Sequence, residues 1–249
     1  MVARPALERR KGDYGFDAPY VPLLLSLGGL ALLAGAAVNL IGGSAGWALF
    51  SGLCAVVLLA SAASYLYTTR RGKFAVWSTL LNGLEMRGDE QLLDVGCGRG
   101  AVLLMAAQLV PGGSAVGVDL WKSADQSGNA IETTRRNAEL EGVAATVQLK
   151  TADMRHLPFP NSSFDLVVSS LAIHNVPDGE GRERCIDEAV RVLRPGGRLL
   201  VADIRSAGQY AERLRLLSMA AVELRSLGWQ FWYGGPWMAA SLVSCVKPG

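Results

Sequence analysis

The sequence predicts a doubly wound α/β domain with a mostly parallel, seven-stranded sheet, preceded by an N-terminal two-helix transmembrane hairpin. Three observations carry that prediction. The stretch from Ala18 to Thr69 contains no charged residue. From about residue 74 short apolar runs alternate with amphipathic ones, as in a parallel sheet covered on both faces. The first of those runs leads into the glycine-rich turn LLDVGCGRG (92–100), at the strand end where such sheets hold their ligands.

Composition supports the split. Hydrophobic residues make up 50% of the 249, and mean hydropathy is +0.25, high for a purely soluble protein. Residues 1–73 hold seven Lys/Arg against three Asp/Glu, which leaves 17 against 19 of the totals of 24 and 22 for the remainder. The basic residues flank the apolar region, which points to lipid headgroups and away from nucleic acid. The four cysteines (Cys54, Cys97, Cys185, Cys245) form no CxxC pair and there are two histidines, so no metal site is expected. A disulfide framework is not expected either, which fits a reducing compartment.

The hairpin consists of residues 21–41 and 46–67, joined at Gly42-Gly43-Ser44. At about 1.5 Å per residue, each run can cross a hydrocarbon core of about 30 Å. Gly28, Gly29, Gly35 and Gly52 suit close helix packing in lipid, and Tyr20, Trp47, Tyr65 and Tyr67 sit where interfacial aromatics do. A buried pair of core helices and a signal peptide are the alternatives. The uncharged stretch is too long for the first, and the second run, directly after the first, argues against the other. Arg4, Arg9, Arg10 and Lys11 precede the hairpin, Arg70, Arg71 and Lys73 follow it, and the joining loop is uncharged. The positive-inside rule therefore places both termini in the cytoplasm, with an anchor of residues 1–73 and a cytoplasmic domain of residues 74–249.

Within that domain Phe74, Trp77, Leu80, Leu81 and Leu84 form a helical stripe. Strand signals follow at 91–95, 114–118, 146–149, 164–169 and 198–202. Helices are expected at 131–141, closed by Gly142, and at 180–192, stopped by Pro195-Gly196-Gly197. A long helix over 208–227 would carry Tyr210, Leu214, Leu217, Ala221 and Leu224 on one face. Two short strands, at 230–233 and 239–246, would close the chain.

The glycine turn has the spacing Gly96-x-Gly98-x-Gly100. A dinucleotide fingerprint needs a further residue before its third glycine, and position 101 is Ala. Asp94 beside the turn would repel a phosphate and suit an ammonium group. Asp119, at the end of the next strand, can accept from two ribose hydroxyls, and Asp153, after the third, from an adenine amino group. An amino acid, a ribose and an adenine together describe S-adenosylmethionine.

With these residues in place, the chain resembles the class I S-adenosylmethionine-dependent methyltransferases of the small-molecule type over about Gly88 to Val246. The resemblance rests on LLDVGCGRG, VGVDLW, ADMRHLPF, FDLVVSSLAIHNV and RVLRPGGRLLVADI, in the family's order. It implies a Rossmann-like methyltransferase fold. It also implies that Gly96, Cys97, Gly98 and Gly100 pass under the methionine portion, with Asp94 near its amino group. Asp119 would hold the ribose, Leu120 and Trp121 would sandwich the adenine, Met154 would lie on its other side and Asp153 at its edge. Ser169, Ser170 and Leu171 would offer backbone groups to the methionine. One stretch departs from the family, whose next helix usually starts soon after the ribose carboxylate. Here Lys122 to Asn129 intervene, either as an ordinary surface loop or as a flap in which Gln126 or Asn129 touches the cofactor.

The sulfonium methyl is already activated, so alignment of the acceptor is the main requirement, with a base added for a hydroxyl acceptor. His174 is either that base or a structural histidine fixing its loop; His156 reads as structural, and Cys97 as a small residue that fits the turn. Trp229, Phe231, Trp232, Tyr233 and Trp237 are either strand packing or the wall of an apolar acceptor pocket near the bilayer. DYGFDAPY (13–20) could cap that pocket, because a hairpin returns both of its ends to one surface. The expected activity is methyl transfer to a small lipophilic acceptor. A non-catalytic cofactor-binding scaffold and a nucleotide-dependent reductase are the rivals. With every cofactor motif beyond Gly88, loss of residues 1–68 is expected to leave cofactor binding intact.

Overall fold

The computed structural model describes residues 10–123 and 126–249. Helices α1 (Tyr20–Ile41) and α2 (Ala45–Tyr67) run antiparallel about the short turn at Gly42. Both are long and apolar enough to cross a membrane by length and composition, and only 11% of the most apolar stretch of α1 is buried inside the protein. Gly29 is buried against Leu59, and Gly28 faces Leu58, so these two glycines do serve close packing. Gly35 and Gly52 face open space and do not. Leu23, Leu27, Phe50 and Leu53 point outward.

Helix α2 does not stop at Tyr67. A π-helical turn, Thr68–Gly72, carries it into α3 (Lys73–Asn82), and residues 45–82 form one 38-residue rod. The boundary expected between residues 73 and 74 thus falls inside a continuous helix. The π turn serves docking: a Cβ at Gly72 would overlap the carbonyl oxygen of Gln230, and the Ser64 and Thr68 hydroxyls both donate to the Trp232 carbonyl.

The elements that follow are β1 (Gln91–Val95), α4 (Ala101–Ala107), β2 (Ser114–Asp119), α5 (Ile131–Glu141), β3 (Val147–Thr151) and β4 (Phe164–Ser170). After these come α6 (Gly179–Val192), β5 (Leu193–Asp203), α7 (Ala207–Leu216), β6 (Ala220–Ser226) and β7 (Ser241–Val246). The sheet order is β3-β2-β1-β4-β5-β7-β6; β1 to β5 pair in parallel, and β7 is antiparallel to both β5 and β6. Alternate strand residues feed two cores, as the pleat requires. Leu92, Leu166 and Leu200 pack with Trp77, Leu103 and Leu104 on the face of α3 and α4. Leu93, Val167 and Val201 pack with Ile186, Tyr210 and Leu214 on the face of α6 and α7.

Three local expectations are corrected. The helix over 208–227 ends at Leu216, where Ser218 takes a left-handed φ of 57° and the Met219 amide closes back on the Leu214 carbonyl. Residues 220–226 then form an edge strand, although Ala, Glu, Leu and Arg favour helix, because β7 offers a row of backbone partners that only a strand can meet. Residues 230–233 are no strand: a single 3-10 turn, Trp229–Phe231, precedes an isolated bridge between Trp232 and Ala239. Pro195-Gly196-Gly197 does not stop α6, which ends at Val192; it lies inside the irregular start of β5, where the register against β4 shifts.

Candidate active site

The chain leaves β1 towards β2 on one side and β4 on the other, and the carboxyl ends of these strands open into a cleft of about 780 Å³. Its floor is the glycine turn. The Gly96 and Cys97 amides both donate to the Val118 carbonyl at the end of β2. Gly96 has φ 76°, and a Cβ there would overlap that of Ala172, so only glycine lets the two backbones approach. Cys97 is buried, and burial holds its thiol well above the ordinary range, which removes it as a thiolate nucleophile.

Asp94 is 1% exposed, and its Oδ1 has no hydrogen-bond partner. Burial, with the Asp119 charge adding, pushes its carboxyl up to about 8. Asp119 is organised for a further acceptor role. Its Oδ2 accepts from the Gly98 amide at 2.9 Å, and its Oδ1 from the Trp121 amide at 2.6 Å and Asn129 Nδ2 at 3.2 Å, with lone pairs to spare. Asn129 is buried with its Oδ1 unpartnered. Arg155 grips Asp153 through both carboxylate oxygens and holds its carboxyl down to about 2.

Most of the site residues expected from the sequence line this cleft: Asp94, Gly96, Cys97, Gly98, Asp119, Leu120, Asn129, Asp153, Met154, Ser170, Leu171 and His174. Three do not. The Trp121 indole donates to Thr151 Oγ1 beyond the end of β2, from a backbone at φ 58°. Ser169 is buried with its hydroxyl on the Val95 carbonyl, and Gly100 caps α4. His156 is exposed on the turn after Asp153.

The described parts of the 122–129 segment border the cleft. Lys122, Gln126 and Asn129 line the cleft, while Ala124 and Asp125 lie outside the described residues. An N-terminal strap pins it down. Gln126 Oε1 accepts from the Arg99 amide, and its Nε2 donates to the Tyr14 carbonyl and to Asp17 Oδ1. Phe16 and Ser127 exchange two hydrogen bonds. Upstream, Asp13 pairs with Arg99 at 2.8 Å, and the Lys11 and Gly12 amides and the Tyr14 hydroxyl converge on Glu141 Oε1.

Asp17 and Lys73, which sequence reasoning did not pair, form the centre of the seam between hairpin and domain. Lys73 Nζ lies 2.9 Å from Asp17 Oδ2, with the lysine side chain 6% exposed, and the Tyr233 hydroxyl donates to the same oxygen. The Tyr65 hydroxyl donates to the Asp17 carbonyl. The signal was present: opposite charges just outside the two ends of an antiparallel hairpin are brought together by it. Of the cationic residues that flank the apolar runs, Arg10 pairs with Glu141 and Arg70 stacks 4.3 Å over Phe16; Arg4 and Arg9 lie outside the described residues.

His174 sits in the 3-10 turn Ile173–Asn175 after β4. Its Nδ1 is 2.6 Å from Asp203 Oδ1, and its amide donates to Asp203 Oδ2. Asp203, at the end of β5, is 1% exposed and also accepts from the Ile204 amide and the Tyr210 hydroxyl. With His174 Nδ1–H donating to Asp203, Nε2 carries the lone pair, a tautomer assigned from the hydrogen-bond network. The C-terminal aromatics divide. Phe231 is fully buried, Tyr233 and Trp237 line the cleft, and Trp229 stacks on Tyr67. Facing them, α1 and α2 contribute Val21, Leu25, Val57, Leu58 and Ser61 to the cleft wall.

Residues 93–201, from within β1 to within β5, match the family described as a methyltransferase domain. The ubiquinone/menaquinone biosynthesis C-methyltransferase UbiE of Dinoroseobacter shibae is 35% identical over 136 residues, 53% of this chain and 50% of that protein. The 27-O-demethylrifamycin SV methyltransferase of Amycolatopsis mediterranei is 34% identical over 152 residues, 58% of this chain and 52% of that protein. The chain spans about half the length of such curated relatives. Among solved structures, the cyclase SpnF shares the fold with a TM-score of 0.57 at 20% identity, over 71% of this chain and 82% of its own.

Proposed function

We propose that the chain is a membrane-anchored methyltransferase acting on a small lipophilic acceptor, since residues 93–201 are a methyltransferase domain of the class whose cofactor is S-adenosylmethionine. The cleft fits that cofactor. The unpartnered Asp94 and Asn129 oxygens ask for donors, two carboxylates suit a cationic ligand, and the floor at Gly96 leaves room for a ligand to lie against backbone. Bound there, S-adenosylmethionine supplies a methyl group on a sulfonium sulfur.

The remaining work belongs to the chain's own residues. Ionised Asp94 answers the amino group and Asp119 the ribose hydroxyls, while Leu120 and Met154 flank the adenine and Asp153 takes its edge. The flap at Gln126, under its strap, excludes water and fixes the acceptor's approach, and such positioning supplies several orders of magnitude in rate. For a hydroxyl acceptor, His174 takes the proton at Nε2, and Asp203 stabilises the imidazolium that results. A thiolate or a neutral amine needs no such base.

One observation carries the lipophilic reading: the acceptor end of the cleft is walled by the two helices whose outer faces are bare apolar surface. Placing residues 20–67 in a bilayer covers that surface and brings the cleft to the membrane, with both chain ends cytoplasmic by the charge rule. Similarity to proteins named as a ubiquinone/menaquinone biosynthesis C-methyltransferase and a 27-O-demethylrifamycin SV methyltransferase supports a small-molecule acceptor. The sharing of the fold with a cyclase means that turnover has to be measured. The full chain in vesicles, given methyl-labelled S-adenosylmethionine with quinols, membrane lipid extract or small thiols, should place label in a lipid-extractable product. Label entering soluble thiols alone would remove the lipophilic reading. Tight cofactor binding with no transfer to any acceptor would leave a scaffold.

A further inference from the structure

The cleft extends beyond the strand ends and along the hairpin. On α2 it is lined by Tyr65, Ser61, Leu58 and Val57, which are spaced four, three and one apart and so share one face. From Tyr65 to Val57 that face rises about 12 Å at 1.5 Å per residue, close to the depth of one leaflet of a hydrocarbon core of about 30 Å. Val21 and Leu25 give α1 the matching stripe. The third wall is the loop after Tyr233. A Cβ at Gly234 would stand 3.7 Å from the Ser61 carbonyl oxygen and 3.9 Å from Leu25 Cδ1, so this loop abuts both helices at once.

Charge divides the cleft sharply. None of the lining residues from α1 or α2 is ionisable as an acid or base near neutrality, whereas the domain end carries Asp94, Asp119, Lys122, Asp153, Arg155 and Arg205. Asp17 and Lys73 neutralise each other at the junction. Such a site suits an amphiphile with a polar head among the domain residues and a hydrocarbon chain along the helices. We propose that the space between α1, α2 and the Tyr233–Met238 loop is a lateral slot that holds the hydrocarbon chain of an acceptor drawn from the cytoplasmic leaflet. The proposal rests on the methyltransferase reading and on placing the hairpin in the bilayer. It adds that the acceptor keeps its tail in lipid while its head reaches His174, so a chain is part of what is recognised. Trp237, 66% exposed on the lip, stands where the chain passes from slot to membrane.

The full chain in lipid nanodiscs, with S-adenosylhomocysteine present, can be photolabelled with 4-dodecylcatechol carrying a diazirine midway along its chain, and the labelled peptides mapped by mass spectrometry. Label should fall on residues 21–25, 57–61 and 233–238, and excess unlabelled 4-dodecylcatechol should compete it away. Ser61→Trp and Leu25→Trp, which wedge the slot from either helix, should each lower that saturable label at least fivefold. Leu53→Trp on the outward face should not. Affinity for S-adenosylhomocysteine, measured by calorimetry, should be unchanged in all three, which also reports that they fold. Label at these positions that cannot be competed is ordinary lipid contact and would overturn the slot. So would wedge variants that retain label within twofold while binding S-adenosylhomocysteine normally. Failure of the unaltered chain to bind S-adenosylhomocysteine would overturn the methyltransferase reading instead.

Discussion

Asp94 is a carboxyl kept out of water with one oxygen unmatched, and its proton should report on the ligand. Its pKa in the folded chain, about 8, lies above the ordinary carboxylate value, so the neutral form is favoured at pH 6. Pairing with an ammonium group requires the ionised form, and binding below pH 8 must then expel a proton. Affinity for S-adenosylhomocysteine is expected to rise from pH 6 to pH 8, with proton release visible as a buffer-dependent binding enthalpy. Asp94→Asn should weaken binding and flatten that profile; a flat profile in the unaltered protein would remove the assignment. The same raised value means that this group's contribution to the stability of the ligand-free fold is complete below about pH 4 and is lost as pH rises through about 8. Asp203→Asn makes a second test. The wrong tautomer of His174 should cost about 10²- to 10⁴-fold in kcat on a hydroxyl acceptor, and little on a thiol or on cofactor affinity, which equal losses on both acceptors would contradict. Asp94 and Asp119 were legible because a glycine turn and a strand end fix them locally. Asp203 was not, being 29 residues from the histidine it orients. Trp121 fails for a local reason, since its left-handed backbone carries the ring to Thr151.

At the scale of elements, the N-terminal strap and the flap it holds form one unit joined by side-chain hydrogen bonds over more than a hundred residues of sequence. No periodicity announces such a pairing, which is why residue type alone favours an ordinary surface loop for 122–129 over a flap. Asp17→Asn leaves Lys73 buried without its counter-charge and should destabilise the fold by about 3 kcal/mol, less whatever solvent reaches the partly exposed aspartate. Adding Lys73→Met should recover most of that loss in thermal unfolding, and a double variant no more stable than the single would show that the ion pair is not the cause. The edge strand β6 was hidden for a different reason. Its side chains are mostly exposed, so no buried stripe betrays a period of two, and helix-forming residues filled a place defined by pairing alone.

The whole molecule tests the separation of anchor and domain. The apolar runs were visible from their length, and three of their four ends agree with the helices to within a residue, while the fourth, at Tyr67, lies inside the continuous 45–82 rod. What length and hydropathy cannot carry is that strap, hairpin and domain share one cleft. Deleting residues 1–68 removes Asp17, the partner of Gln126, and should weaken S-adenosylhomocysteine binding at least tenfold, contrary to the expectation from motif positions alone. Unchanged affinity in the truncated chain would reduce the strap to a surface ornament. The full chain should stay with membranes through carbonate extraction, and reporters fused ahead of Arg10 and after Gly249 should both register as cytoplasmic. Release into the soluble fraction would return α1 and α2 to the status of an unusual solvent-facing pair.

The unbroken run from Ala45 to Asn82 has a mechanical consequence. Trp77 on its far end is completely buried, with its indole on Ser170 at the tip of β4, so the rod is stepped into the domain as a mast into a keel. A domain mounted this way cannot swivel or sway on a tether. With residues 20–67 placed in a bilayer as proposed, its height above the lipid and its compass bearing would both be set by helix phase, and one residue inserted midway along α2 would turn everything above it by about 100° and lift it by about 1.5 Å.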